Sequence, residues 1–158
     1  MTDWIDDFEK KAKGAANIQK QLRLHDSQII QGKAPTFWSA TVAWVKHYCG
    51  KLSEKFPDEP RYRCEIIRKS TGGLRFFAGG TLPHKGIDAE LNLDGQCIVI
   101  QEGFRQSRNE AAVEDGSPYQ VEITVGEQEQ LMVSFKGKLH ESSESLAEHF
   151  VRFVCDIP

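Results

Sequence analysis

Apolar positions in this chain recur first at helical spacing, then at every second residue, then at helical spacing again. Over the first thirty residues Trp4, Ile5, Phe8, Ala12, Ala15 and Ala16 repeat at steps of three and four, as one face of a helix requires. Thr2 is placed to cap it, and Asp3, Asp6 and Asp7 suit the positive end of its dipole. Beyond Asn17 the stripe thins to Ile18, Leu22 and Ile29 among glutamines and lysines. Gln31-Gly32-Lys33-Ala34-Pro35 is expected to end this helix, with Gly32 as C-cap and Pro35 opening the next.

The second helix is the best-marked element. Trp38, Val42, Val45, Cys49, Leu52 and Phe56 step alternately by four and three, an a/d seam. A second stripe, Phe37, Thr41, Trp44 and Tyr48, lies beside it. The combined face is wider than a globular surface helix needs. Pro57-Asp58-Glu59-Pro60 stops the helix.

From Arg61 the period is two, the mark of strands. Tyr62, Cys64 and Ile66 alternate with Arg63 and Glu65, and Ile87, Ala89, Leu91 and Leu93 alternate with Asp88, Glu90 and Asn92. Thr71-Gly72-Gly73 reads as a turn, and Asp94-Gly95 as a two-residue type I′ hairpin leading into Cys97–Ile100. Ser107 and Glu110, within the polar stretch 103–118, have capping-box spacing. Tyr119–Val125 and Leu131–Phe135 form the last pair of strands, and Leu146, Phe150, Phe153, Val154 and Ile157 face one side of a closing helix.

The expected fold is α+β: two N-terminal helices, a mostly antiparallel sheet of about six strands in meander order, and a C-terminal helix packed on the sheet. One domain spans 1–158, divided into a helical region 1–56, a sheet 61–136 and a helix 142–157. The order resembles folds in which a helix packs on a curved antiparallel sheet, among them small-ligand binders and secretion chaperones, and such folds host unrelated functions. By parity Ile67, Phe77 and Met132 fall on the second sheet face. That face therefore calls for a cover, either the N-terminal helices or a second protomer.

Charge sharpens the picture. The net charge is −3, distributed as +3 over residues 1–56, +1 over 57–108 and −7 over 109–158. The acidic last third argues against general nucleic-acid binding, which needs Lys and Arg against phosphates. No apolar run approaches the ~20 residues of a membrane span, and the acidic start, Asp3, Asp6 and Asp7, is unlike a secretory signal. A cytoplasmic protein is expected. Cys49, Cys64, Cys97 and Cys155 are far apart in apolar contexts, which favours buried free thiols.

Candidate chemistry is sparse. The five histidines have no metal-ligand spacing, and His149 reads as a surface residue. The loop Gly79–Gly86, with His84 and Lys85, could meet an anion but lacks P-loop spacing. Glu65, Asp88, Glu90 and Glu122 sit where outward-facing polar residues belong, and no serine has a nucleophile-elbow context. Neither a cofactor nor catalytic residues are indicated. Two features suggest contact with a partner. One is the aromatic face Phe37, Trp38, Trp44 and Tyr48, with core packing as the plainer reading. The other is the cluster Arg61, Arg63, Arg68, Lys69 and Arg75, suited to carboxylates or phosphates, with a charge-guarded sheet edge as the plainer reading. The function expected is a non-enzymatic interaction or regulatory module, homodimeric or part of a complex. The alternative is a carrier of a small ligand or lipid in an apolar cavity between sheet and helices.

Overall fold

The computed structural model describes residues 3–68, 72–79, 84–105 and 113–158. The first element is one helix, α1 (Trp4–Lys55), capped by the Asp3 carboxylate, which accepts from the Ile5 N–H. At 1.5 Å per residue its 52 residues span roughly 78 Å. The expected break at residues 31–35 is absent. Pro35 removes the N–H that would bond the Gln31 carbonyl and costs about 3 kcal/mol in a helix interior. Burial outweighs it: Ile30, Ala34 and Trp38, on both sides of the proline, are almost wholly enclosed, whereas Pro35 itself faces outward.

After a 3₁₀ turn (Pro60–Tyr62) come β1 (Cys64–Arg68), β2 (Gly73–Ala78), β3 (His84–Asn92), β4 (Cys97–Arg105), β5 (Val113–Glu114), β6 (Tyr119–Val125), β7 (Leu131–Phe135) and β8 (Lys138–His140). The chain closes with α2 (Ser143–Val154), capped by Ser142. The sheet has eight strands rather than six, in the order β1-β2-β3-β4-β6-β7-β8, with β5 added beside β4. All pairs are antiparallel. The fold is α+β, as the change of period indicates.

The hairpin geometry differs from the expected one. Asn92 pairs with Cys97, so Leu93–Gln96 forms a four-residue loop rather than a two-residue turn at Asp94-Gly95. Asn92 Oδ1 accepts from the Gly95 N–H, and the residue at positive φ is Gln96. The tight turn lies instead between β7 and β8. There Lys136 and Gly137 both have positive φ and Phe135 pairs with Lys138, the signature of type I′. The Ser107/Glu110 turn and residues 80–83 of the Gly79–Gly86 loop fall outside the described residues.

Both helices cover the same sheet face. Ile30, Ala34, Trp38, Val45 and Cys49 of α1 and Leu146, Ala147, Phe150, Val151 and Val154 of α2 join one hydrophobic cluster with Leu74, Phe76, Ile87, Ala89, Ile98, Ile100, Val121, Ile123, Leu131, Val133 and Phe135. The N-terminal helix thus does not serve as a lid for the second face. On that face Phe77 is buried close against Gly86, where a Cβ would lie 2.2 Å from the ring, while Ile67 is exposed.

Candidate functional site

The body of the protein takes hold of α1 only from about His25 onward. His25 meets Glu129, Ser27 meets Gln96, Gln31 donates to the Leu93 carbonyl and Lys33 to that of Glu129. These contacts come from the β3–β4 and β6–β7 loops. Upstream of them every residue from Trp4 to Leu24 is exposed, so about 30 Å of helix projects as an arm. Trp4 keeps 73% of its surface exposed, Phe8 65%, Ile18 61% and Leu22 57%. Without packing on either side the arm lacks the main source of helix stability in proteins, and Gly14 at its middle weakens it further. The arm carries a row of large apolar side chains that no described residue covers.

The aromatic face of α1 turns inward. Trp38 is buried, donates its indole N–H to the Gly72 carbonyl and meets Phe150 edge-on with centroids 6.5 Å apart. It belongs to the core and is not available at the surface. Phe37, Trp44 and Tyr48 are half-buried against the same core. Trp44 stacks on Tyr48 at 5.6 Å, and Tyr48 donates its hydroxyl to Glu144 of α2. Burial and the Glu144 carboxylate push the Tyr48 hydroxyl up to about 12. Trp38 and Tyr48 thus join α1 to α2.

Among the described side chains the arginines do not form a patch; Lys69 and the Arg68 side chain lie outside them. Arg61 lies in the 3₁₀ turn and Arg63 just after it, so neither occupies the strand face expected of them. The Pro57–Pro60 segment delays strand pairing until Cys64. Arg61 lies over the Tyr62 ring at 4.6 Å and bonds its hydroxyl, and Arg63 donates to the Pro57 carbonyl. Arg75, on the second sheet face, forms an ion pair with Asp88 at 2.7 Å. It lines an open groove of about 420 Å³ with Phe77, Glu90, Val99 and Gln101.

Two clusters escaped the sequence reading. His140 is buried, its Nδ1 2.6 Å from Ser145 Oγ and its Nε2 2.7 Å from His149 Nδ1. His149 is half-buried rather than a surface residue, with its ring edge-on to Phe135. Burial, helped by the neighbouring His149 and Lys138, lowers His140 to about 4, and burial lowers His149 as well. Ser145 and His149 are four apart, one helical step, which was the available signal. The second cluster is a thiol pair, Cys64 Sγ and Cys155 Sγ at 3.3 Å. Residues 91 apart in sequence carry no local sign of such proximity. Among the described residues no group of three His, Cys, Asp or Glu is placed to hold a metal ion, and no helix is long and apolar enough to cross a membrane.

Comparison with known proteins adds no relative: no family model, curated protein or solved structure matches the chain.

Proposed function

We propose that the protein is a non-enzymatic interaction module that presents the arm of α1 to a protein partner. The supporting observation is the exposed apolar row Trp4, Phe8, Ile18 and Leu22 on a helix that the body grips only from His25 onward. Exposed large apolar side chains clustered on one element mark interaction sites, and an amphipathic helix laid into a groove or onto another helix is a recurring mode of recognition. The reading places the protein in the cytoplasm, where its four free cysteines stay reduced. The test is affinity purification from native lysate with the full chain and with a Phe8→Asp/Leu22→Asp variant. A partner recovered by the first and lost by the second is the expected result. Recovery equal for both chains would refute the role of the arm.

A second reading, a small-ligand carrier, draws on the groove beside Arg75, Phe77 and Val99. Its ligand would lie on the second sheet face, because the space between sheet and helices is filled by Phe76, Ile98, Ile100, Val45 and Phe150. Mass spectrometry of small molecules that co-purify with the chain separates it from the first.

A further inference from the structure

The arm carries a seven-residue repeat. Trp4, Phe8, Lys11, Ala15, Ile18, Leu22 and His25 follow one another at steps of four and three throughout, which places them on one seam of a two-stranded coiled coil. The seam is large at both ends and small in the middle. Trp4 and Phe8 stand at the outer end, Ile18 and Leu22 at the inner end, and Ala15 between them, with Ala12, Gly14 and Ala16 beside it. Charge divides the arm in the same way. Asp3, Asp6, Asp7 and Glu9 give the outer stretch −4, and Lys10, Lys11, Lys13, Lys20 and Arg23 give the inner stretch +5.

We propose that the occupant of the arm is the arm of a second copy of this chain, paired antiparallel about a two-fold axis at Lys13. This rests on the interaction reading above and names its partner. The register follows from the seam. In antiparallel coils the two kinds of seam position face each other, and a two-fold at Lys13 sets Trp4 opposite Leu22, Phe8 opposite Ile18 and Lys11 opposite Ala15. Every large exposed residue of the seam then meets another large one. The Lys11 stem lies across the smallest seam residue, a polar position of the kind that fixes register.

Electrostatics selects the same orientation. The antiparallel arrangement sets residues 3–9, net −4, at the level of residues 17–23, which carry Lys20 and Arg23, while Lys10, Lys11 and Lys13 of the two copies gather about the axis. A parallel pair would lay acid on acid and base on base, which like-charge repulsion disfavours. The described part of the partner arm, from Asp3 onward, reaches the level of Arg23 and stays clear of the loops that grip α1 from His25. The contact is isologous, with the same patch used by both copies, and closes as a dimer.

The test uses the full chain in light scattering across a hundredfold dilution, with disulfide trapping under mild oxidant. A mass of two chains is expected for the wild type. Phe8→Asp should give a mass of one chain with an unchanged urea midpoint for the body, since Phe8 is 65% exposed on the arm. A Phe8→Cys/Ile18→Cys variant should trap a two-chain species, and Phe8→Cys alone should not. A mass of one chain at every concentration overturns self-pairing, while the interaction reading still stands if lysate capture depends on the arm. Trapping through Phe8→Cys alone makes the helices parallel and overturns the register.

Discussion

Cys64 Sγ lies 3.3 Å from Cys155 Sγ, where the first strand meets the end of the last helix. Contact with Cys64 and then burial hold the Cys155 thiol well above the usual range. At Cys64 the bond to Cys155 favours the thiolate, but Cys49 and burial outweigh it and the net shift is again upward. The thiolate is the reactive form. Native protein should therefore react slowly with an aromatic disulfide reagent at pH 8, and four thiols should titrate once denaturant is added. Rapid reaction of two thiols in the native state would show that this junction opens readily.

Val45 and Leu22 lie on the same helix in opposite environments, one with no exposed surface and the other with 57% exposed. Asp at 45 would bury a charge without a partner, at a cost of at least about 3 kcal/mol. Asp at 22 should leave the stability of the body within about 0.5 kcal/mol. Urea unfolding followed through Trp38 and Trp44 separates the two. Equal midpoints would mean that the inner half of α1 is not docked as described.

Pro35 breaks the hydrogen-bond ladder of α1, and its ring is exposed. Pro35→Ala restores an N–H to the Gln31 carbonyl and removes a ring clash worth about 3 kcal/mol in a helix interior. Part of that gain is lost because the unfolded chain becomes more flexible. The substitution should raise the melting temperature by several degrees. A lower value would show that the proline stabilises a bend on which the core depends.

The same proline shows where sequence pattern stopped being informative. Period and parity marked β1–β4, β6, β7 and α2, because each of those elements has one face in the core, whereas β5, two exposed residues, and β8, three residues, are too short to show a period. Gly32 and Pro35 are genuine local stop signals, and they were overridden by Ile30, Ala34 and Trp38, whose burial depends on strands far along the chain. The Asp94-Gly95 dipeptide likewise fits a type I′ turn, yet the register of β3 with β4 leaves four residues to turn there. Lys136-Gly137, a weaker local signal, makes the tight turn because the Phe135–Lys138 pairing leaves only two. Among the site candidates, the aromatic stripe was legible as a stripe but not as the seam between α1 and α2. The arginines lost their common face once Pro57 and Pro60 had delayed β1. The histidine and thiol clusters needed three-dimensional proximity and had little local signature.

The His140–His149 pair gives the protein an acid-side dependence with a definite sign. His140 keeps 1% of its surface exposed, and its ring nitrogens are committed to Ser145 and His149. In the folded chain it stays neutral down to about 4, chiefly through burial and then through its charged neighbours. In the unfolded chain an ordinary histidine takes up its proton near 6.5. Below that pH the unfolded state binds the proton and the folded state does not, so stability falls as pH drops from about 6.5 to about 4 and levels off below. The difference corresponds to about 3 kcal/mol for this one group, and the lowered His149 acts in the same direction. Urea midpoints measured from pH 7.5 to 4 should fall for the wild type. They should fall much less for His140→Asn, which lacks the titrating group, although Asn will lower the plateau at pH 7 by disturbing the bonds to Ser145 and His149. Parallel curves for the two proteins would mean that carboxylates elsewhere set the acid limit and that His140 is protonated in the fold without cost.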